Sequence, residues 1–204
     1  CYGIVDGSEY FEGVFASRLD DQGAVVDTGI VVRPDTNLRW LSAPAAGYLG
    51  GDYLVGWVEG GRTGVPGLAC VRFAPDGAMR DTTPVVLAGN VSADWSRESS
   101  FAREGDAGVV SWLDGGYVEV CAGRLESEPY LLVLDTTEVS RMTAPQLSPS
   151  CASGRGSRFV AWLEEGPTYL DGRRVYGSVL GSAGPTGAGD IVLDVASGRS
   201  VRGI

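Results

Sequence analysis

One pattern recurs about every 50 residues along this chain and restricts its fold more than any other feature: an apolar pair, a tryptophan, and an acid two positions further on. It reads Tyr53-Leu-Val-Gly-Trp57-Val-Glu59, Gly108-Val-Val-Ser-Trp112-Leu-Asp114 and Arg158-Phe-Val-Ala-Trp162-Leu-Glu164, with the tryptophans 55 and 50 residues apart. A degenerate copy, Tyr2-Gly-Ile4-Val-Asp6, lies 53 residues ahead of Trp57. A period of about 40 to 50 residues built from strand-like segments marks a β-propeller or a related array.

Each period divides into four short strand signals. In the third unit they are Ser99 to Ala102, Ala107 to Leu113, Val118 to Leu125 and Tyr130 to Leu134. Asp114-Gly-Gly-Tyr117 reads as a tight hairpin, because adjacent glycines supply the positive φ values of a primed turn. That register sets Trp112 opposite Glu119 and Val110 opposite Cys121. The second unit offers Ala43 to Tyr48, Asp52 to Val58, Gly67 to Phe73 and Pro84 to Leu87. The fourth offers Ser148 to Ala152, Arg158 to Leu163, Arg174 to Leu180 and Ile191 to Val195. The first supplies only three signals: Tyr2 to Val5, Glu12 to Leu19 and Ala24 to Val32. Third strands carry Arg18, Arg72 and Arg124 in one place, with Val179 in the fourth copy, and turn-forming Asp-Gly or Gly-Pro follows them. No segment reads as a helix of useful length.

These units resemble the four-stranded blades of large secreted or surface proteins of GC-rich bacteria, whose repeat runs S-P-x-V-A, then Y-L-V-x-W-x-D, then Y-G-x-R-V and D-G. Ala43-Pro44, Tyr53-Leu-Val-Gly-Trp57, Arg72 and Asp76-Gly77 carry the likeness, as do Ser148-Pro149, Phe159-Val-Ala-Trp162 and Val175-Tyr-Gly177. The resemblance implies an all-β propeller, or a partial one, of about four four-stranded blades. It implies no activity, since its motifs are structural and the proteins that carry it are binding or adhesion modules. One domain is expected over residues 1–204, with blades near 1–37, 38–92, 93–142 and 143–198, the first lacking its inner strand. Two readings of that deficit stand: a fragment of a larger propeller, or a four-bladed ring whose C-terminal Arg199–Ile204 partly fills the gap. Natural propellers protect their edges by closing, which favours the fragment.

Within a propeller, a tryptophan at one place in every unit is a large apolar side chain for the interblade core, burying on the order of 200 Å². Trp57, Trp112 and Trp162 are therefore expected to be buried. The arginines are read as blade-to-blade ion pairs or solvated strand ends in preference to an anion site. Cys1, Cys70, Cys121 and Cys151 show no metal spacing, and three of them sit in apolar strand-like runs, so buried thiols are expected. In particular no Cys121–Cys151 bond is expected. Cys151 takes the inner-strand place of Ala46 and Phe101, about two strand spacings from a third strand. Lipid anchoring through Cys1, as in a bacterial lipoprotein, is the weaker reading, because a strand-like segment follows at once in place of a flexible linker.

Function is far less legible. A net charge of −10 disfavours nucleic acid, the absence of His removes the commonest general base and metal ligand, and no apolar run is long enough to span a membrane. There is no nucleophile elbow, phosphate loop, zinc signature or calcium loop, so neither a catalytic residue nor a cofactor is expected. A propeller glycosidase stays open because Asp and Glu number 26, with no pair singled out. One rim attracts attention. Trp40 and Trp95 stand 55 residues apart just before first strands, with Arg39 and Arg97 beside them, on the rim where Glu59, Asp114 and Glu164 end the second strands. Each tryptophan is either packed onto the blade edge or displayed for a ligand; each acid is either a turn partner or part of a carboxylate ring. Loops on a rigid scaffold are where binding usually resides. The reading favoured is a non-catalytic extracellular, cell-surface or periplasmic module that binds a protein through this rim, or a further chain at its open blade edge. A lectin-like, carbohydrate-binding propeller is the alternative.

Overall fold

The computed structural model describes residues 4–6, 9–11, 13–34, 40–60, 65–91, 99–104, 107–115, 119–126, 131–140, 144–154, 157–166, 173–181, 184–185 and 191–195. Among them there is no helix; every regular element is a strand. In chain order these are β1 (Ile4–Asp6), β2 (Glu9–Phe11), β3 (Gly13–Leu19), β4 (Val25–Pro34), β5 (Trp40–Leu49), β6 (Asp52–Gly60), β7 (Gly67–Phe73) and β8 (Val85–Gly89). There follow β9 (Ser100–Glu104), β10 (Ala107–Asp114), β11 (Glu119–Glu126), β12 (Leu132–Glu138), β13 (Gln146–Gly154), β14 (Ser157–Glu165), β15 (Arg173–Gly181), β16 (Gly184–Pro185) and β17 (Ile191–Val195).

All pairings are antiparallel, and the sheets follow the chain. β5-β6-β7-β8 and β9-β10-β11-β12 are four-stranded meanders; β13-β14-β15 continues with β17, and β16 pairs the end of β15. The N-terminal region makes two smaller sheets, β1-β2 and β3-β4. Strand signals read from alternation and turn residues therefore coincide with strands in the three later units. The hairpin register of β10 and β11 differs from the expected one. Asp114 pairs with Glu119, so four residues separate the strands, not the two of a primed turn, and Trp112 faces Cys121 while Val110 faces Gly123. The two registers differ by two residues and keep every side chain on the same face, so Leu113, Val120 and Ala122 are buried in either and the alternation alone does not distinguish them.

The sheets stack face to face, and the repeat explains why. Trp57, with Val55, Ala69, Val71 and Phe73, packs against Val14 and Val32 of the preceding sheet. Trp112, Val110 and Cys121 pack against Val58, Leu68 and Val91 of theirs. Trp162, Val160 and Tyr176 meet Val109, Leu113, Val120 and Ala122. All three tryptophans are buried, as expected, each turned toward the blade before it. The period-2 alternation of β7 and β11 thus feeds two interfaces, one on each face of the sheet. The β3-β4 sheet departs from this. Val14, Ala16 and Ile30 face the next blade, while the other face carries Phe15 at 42% and its cross-strand partner Val31 at 50% exposure. Among the described residues that apolar face has no blade packed on it.

Candidate functional site

The second strands end on one rim, and backbone pairing places the first strands' beginnings beside them. Leu41 pairs with Glu59 and Trp40 with Gly60, while Gln146 pairs with Glu164. Trp40, Glu59, Asp114 and Glu164 therefore share a rim at the level of backbone, as the repeat implies. Of Trp40 only the backbone is described; Arg39, Trp95 and Arg97 lie outside the described residues.

The rim acids tie blades together. Glu59 Oε2 accepts from Trp57 Nε1 at 3.1 Å and from Arg33 Nε at 3.1 Å, and Arg33 belongs to β4 of the previous unit. Asp114 Oδ1 accepts from Gly115 N at 2.7 Å and from Asn90 Nδ2 at 3.2 Å. Asn90 sits at positive φ just past β8, and the next residue, Val91, makes a lone bridge to Asp114. Glu164 is buried between Gln146 and Arg174 in the cross-strand register. Gln146 is itself buried, and its Oε1 accepts from Val120 N at 2.9 Å and Ser140 Oγ at 2.6 Å, both in the preceding blade. Buried polar groups require such partners, so Glu59 and Asp114 are explained first as interblade fastenings, while beside Glu164 it is Gln146 that reaches the preceding blade.

The opposite rim holds the arginines, and their partners are not the expected ones. Arg72 forks onto Asp81 within its own blade, with Nη2–Oδ1 at 2.8 Å and Nε–Oδ2 at 3.0 Å, and Arg124 meets Glu126 in its own strand. Arg18 pairs with Asp27 of the adjoining strand and reaches across to Pro75 O of the next blade at 2.6 Å. The hydrogen bond from Arg18 holds the Asp27 carboxyl below its ordinary range. At Asp81 burial works the other way, but the hydrogen bonds and charge of Arg72 outweigh it and the net shift is downward.

Sequence reading assigned this rim only turns, and here the structure adds two features. Tyr48 and Tyr53 stand opposite each other across the Gly50-Gly51 turn, both exposed, edge to face with ring centroids 5.3 Å apart; Arg103 of the next blade lies 5.5 Å over Tyr48. The signal was present: a two-glycine turn with positive φ at both residues sets positions 48 and 53 opposite. The second feature is a cavity of about 290 Å³ between the first two units, lined by Ala16, Leu19, Ile30, Ala46, Val55 and Phe73 among others.

Cys70 and Cys121 are buried, as expected, and Cys151 is half-buried; burial pushes Cys70 and Cys121 up to about 12. Cys151 lies beside Ser100 and the Val109 carbonyl of the preceding blade. It pairs with Val160, just as Ala46 pairs with Val55 and Phe101 with Val110, so the three share the inner-strand place expected of them. Cys1 lies outside the described residues, and no helix among those described is long and apolar enough to cross a membrane.

Comparison with solved structures supplies the remaining geometry. An endo-arabinanase of Bacillus licheniformis, labelled GH43, superposes with a TM-score of 0.53 at 13% identity, over 94% of this chain and 78% of its own. An arabinanase of Bacillus subtilis gives 0.51 at 12% identity, over 95% and 79%. The fold is a β-propeller. No protein-family model matches the chain, and no curated protein matches it in sequence. These neighbours correct two expectations drawn from sequence: a non-catalytic module for a protein partner, and a chain outside enzyme families. Both of these solved structures are arabinanases that share the architecture over nearly the whole chain.

Proposed function

We propose that this chain is a carbohydrate-binding propeller that holds a glycan across the rim bearing Trp40 and Trp95. The observation that carries the reading is the fold, shared across 94% and 95% of the chain with two arabinanases. The chemistry of the rim suits the ligand. Sugar rings present apolar C–H faces that stack on indoles, and hydroxyls that pair with fixed polar groups. Trp40 and Trp95 recur at one place in consecutive units, with Arg39 and Arg97 beside them and Glu59, Asp114 and Glu164 at the neighbouring strand ends. A polymeric glycan of the arabinan kind would be met outside the cytoplasm, which agrees with an extracellular, cell-surface or periplasmic site.

Affinity electrophoresis in gels containing linear arabinan, branched arabinan or xylan tests this directly. Retardation by at least one polymer is expected, reduced by Trp40→Ala and by Trp95→Ala and unchanged by Tyr48→Ala on the opposite rim. Absence of retardation in all three gels refutes the reading; retardation lost only with Tyr48→Ala moves the site to the other rim.

The arabinanase neighbours favour one second reading, hydrolysis of a glycosidic bond. That reaction requires two carboxyl groups about 5 to 9.5 Å apart, flanking the bond. Of the rim acids, Glu59 and Asp114 are already held by neighbours as blade fastenings. On the same rim the sequence also supplies Asp94 and Glu98 just before β9, and these are the acids taken for the test. Release of reducing ends from linear arabinan, abolished by Asp94→Asn or Glu98→Gln with binding intact, is the expected result. Binding without any release by the native chain refutes it.

A further inference from the structure

We propose that Tyr48 and Tyr53 form an oxidative modification site, at which a one-electron oxidant of the haem-peroxidase class joins the two rings as a dityrosine. The turn between them sets the geometry. Gly50 and Gly51 both have positive φ, at 61° and 90°, as a two-residue primed turn requires. Such a turn closes on a hydrogen-bonded pair, here Leu49 and Asp52, so the next pair outward is of the non-hydrogen-bonded kind. That pair is Tyr48 and Tyr53, and the pairing sets their Cα atoms about 4.5 Å apart with both side chains on one face. The ring centroids stand 5.3 Å apart at an interplanar angle of 61°. Leu49 and Asp52 are buried, and Arg80 Nε holds Asp52 Oδ1 at 3.3 Å. The strand ends that carry the two rings are therefore fixed, and the pair does not part by fraying.

Access singles this pair out. Tyr48 is 39% and Tyr53 42% exposed, whereas Tyr176, the other tyrosine whose side chain is described, is buried against Trp162. Trp57, Trp112 and Trp162 are buried too. Among the described phenols and indoles, an oxidant arriving from solvent meets these two rings first. The Arg103 guanidinium of the next blade lies 5.5 Å over the Tyr48 ring. A cation there disfavours a ring radical cation, since like charges repel, so loss of the electron is tied to loss of the phenol proton to water. The contact also restrains the Tyr48 ring beside its neighbour.

The step balances as follows. Each phenol gives one electron to the oxidant and one proton to solvent, leaving two neutral phenoxyl radicals whose spin is shared with the ring carbons ortho to oxygen. Those carbons form one carbon–carbon bond, and the hydrogen each still bears then moves to its own oxygen, restoring two phenols. Two tyrosines and one hydrogen peroxide give one dityrosine and two waters. The torsion that turns a tyrosine ring is broad, so two exposed rings in contact can bring their ortho edges together. Fixed proximity makes the coupling unimolecular, ahead of any encounter between separate chains.

Haem peroxidase and hydrogen peroxide, applied to the folded chain at micromolar concentration, test the site. A monomer lighter by two hydrogens, with biphenol fluorescence, is expected. Cleavage before aspartate separates Tyr48, in residues 35–51, from Tyr53, in residues 52–75. After oxidation these two peptides should remain joined. Tyr48→Phe and Tyr53→Phe keep both rings and their packing but remove one phenol, and each should reduce the joined peptide at least tenfold. In urea the coupling should scatter over the eight tyrosines of the chain. Absence of the joined peptide, its survival in either Phe variant, or dityrosine found mainly in covalent dimers or at other tyrosines overturns the proposal. So does an equal preference for this pair in the unfolded chain, because nearness in sequence would then suffice without the fold.

Discussion

The contact between Phe101 and the second blade gives the most exacting test of how these sheets fit. Phe101 leans from β9 across the interface onto Gly56 and Gly47. A Cβ placed on Gly56 would stand 2.5 Å from Cζ and 2.6 Å from Cε2 of the ring, and one on Gly47 would stand 2.9 Å from its Cβ. Such distances force movement, and the ring, half-buried between two sheets, has little room to give. Gly56→Ala is therefore an overpacking change, expected to cost about 1–3 kcal/mol. Phe101→Ala empties the same space and is expected to cost about 2–3 kcal/mol, below the range for a fully buried ring. The two effects share one cause, so they should not add. With Phe101 truncated, the methyl added at position 56 meets no ring, and the double variant should resemble Phe101→Ala alone, giving a coupling of roughly −1 to −3 kcal/mol. Urea denaturation of the four proteins, read by tryptophan fluorescence, measures the cycle; Gly56→Ala alone should lower Tm by about 2–10 °C. Additive losses would show that Gly56 is required for strand conformation and not for the approach of Phe101, and would refute the interlocking described here.

Other consequences follow from burial and charge. Trp57→Ala and Trp162→Ala should each cost about 3–5 kcal/mol, because both indoles are fully enclosed; a loss under about 1 kcal/mol by chemical denaturation would be inconsistent with that packing. Cys70 and Cys121 should resist maleimide at pH 8 in the folded chain and react on unfolding. Their thiols are raised to about 12 from an ordinary 9.0, so the stabilisation they confer is complete below pH 9 and lost as pH rises from there toward 12. Loss in this window should shrink in the Cys70→Ala, Cys121→Ala double variant. At the other limb, Asp27 and Asp81 are held below 3.8 by Arg18 and Arg72. The stability they add is present above that value and lost as pH falls through their lowered ones, so Arg72→Met should flatten the acid limb of a stability-against-pH curve; an unchanged limb would discount the pair.

Much of the scaffold was legible because it repeats. Trp57, Trp112 and Trp162 occupy one place in three sheets for one physical reason, and their spacing alone sufficed to find it. The inner-strand equivalence of Ala46, Phe101 and Cys151 was legible in the same way. Turn length was not: the Asp114–Glu119 hairpin opens to four residues, and a two-residue shift of register keeps every side chain on its face, so the apolar alternation read from sequence is the same for both lengths. The partners of Arg72 and Arg124 were hidden for a related reason. Alignment of repeats tells which residues share a place, but Asp81 and Glu126 sit outside the repeated motif. The exposed pair Tyr48 and Tyr53 was overlooked because it occurs in one unit only. Carbohydrate binding stood in the sequence only as the alternative, drawn from Trp40 and Trp95 on one rim, and the likeness of the whole architecture to two arabinanases is what moves it ahead of a protein partner.

That division has a physical basis that bears on where function can lie. A residue repeated in every blade holds the same place each time, so its recurrence from unit to unit reports packing; Glu59 and Asp114 illustrate it, each fastened to the preceding unit, through Arg33 and Asn90 respectively, in spite of an inviting position on the rim. Departures from the repeat carry the opposite information. Ala46 stands where Phe101 fills an interface, and its small side chain borders a cavity between the first two units. Tyr48 and Tyr53 add an exposed aromatic pair beside Gly50-Gly51, where the third unit has Arg103 and Gly108.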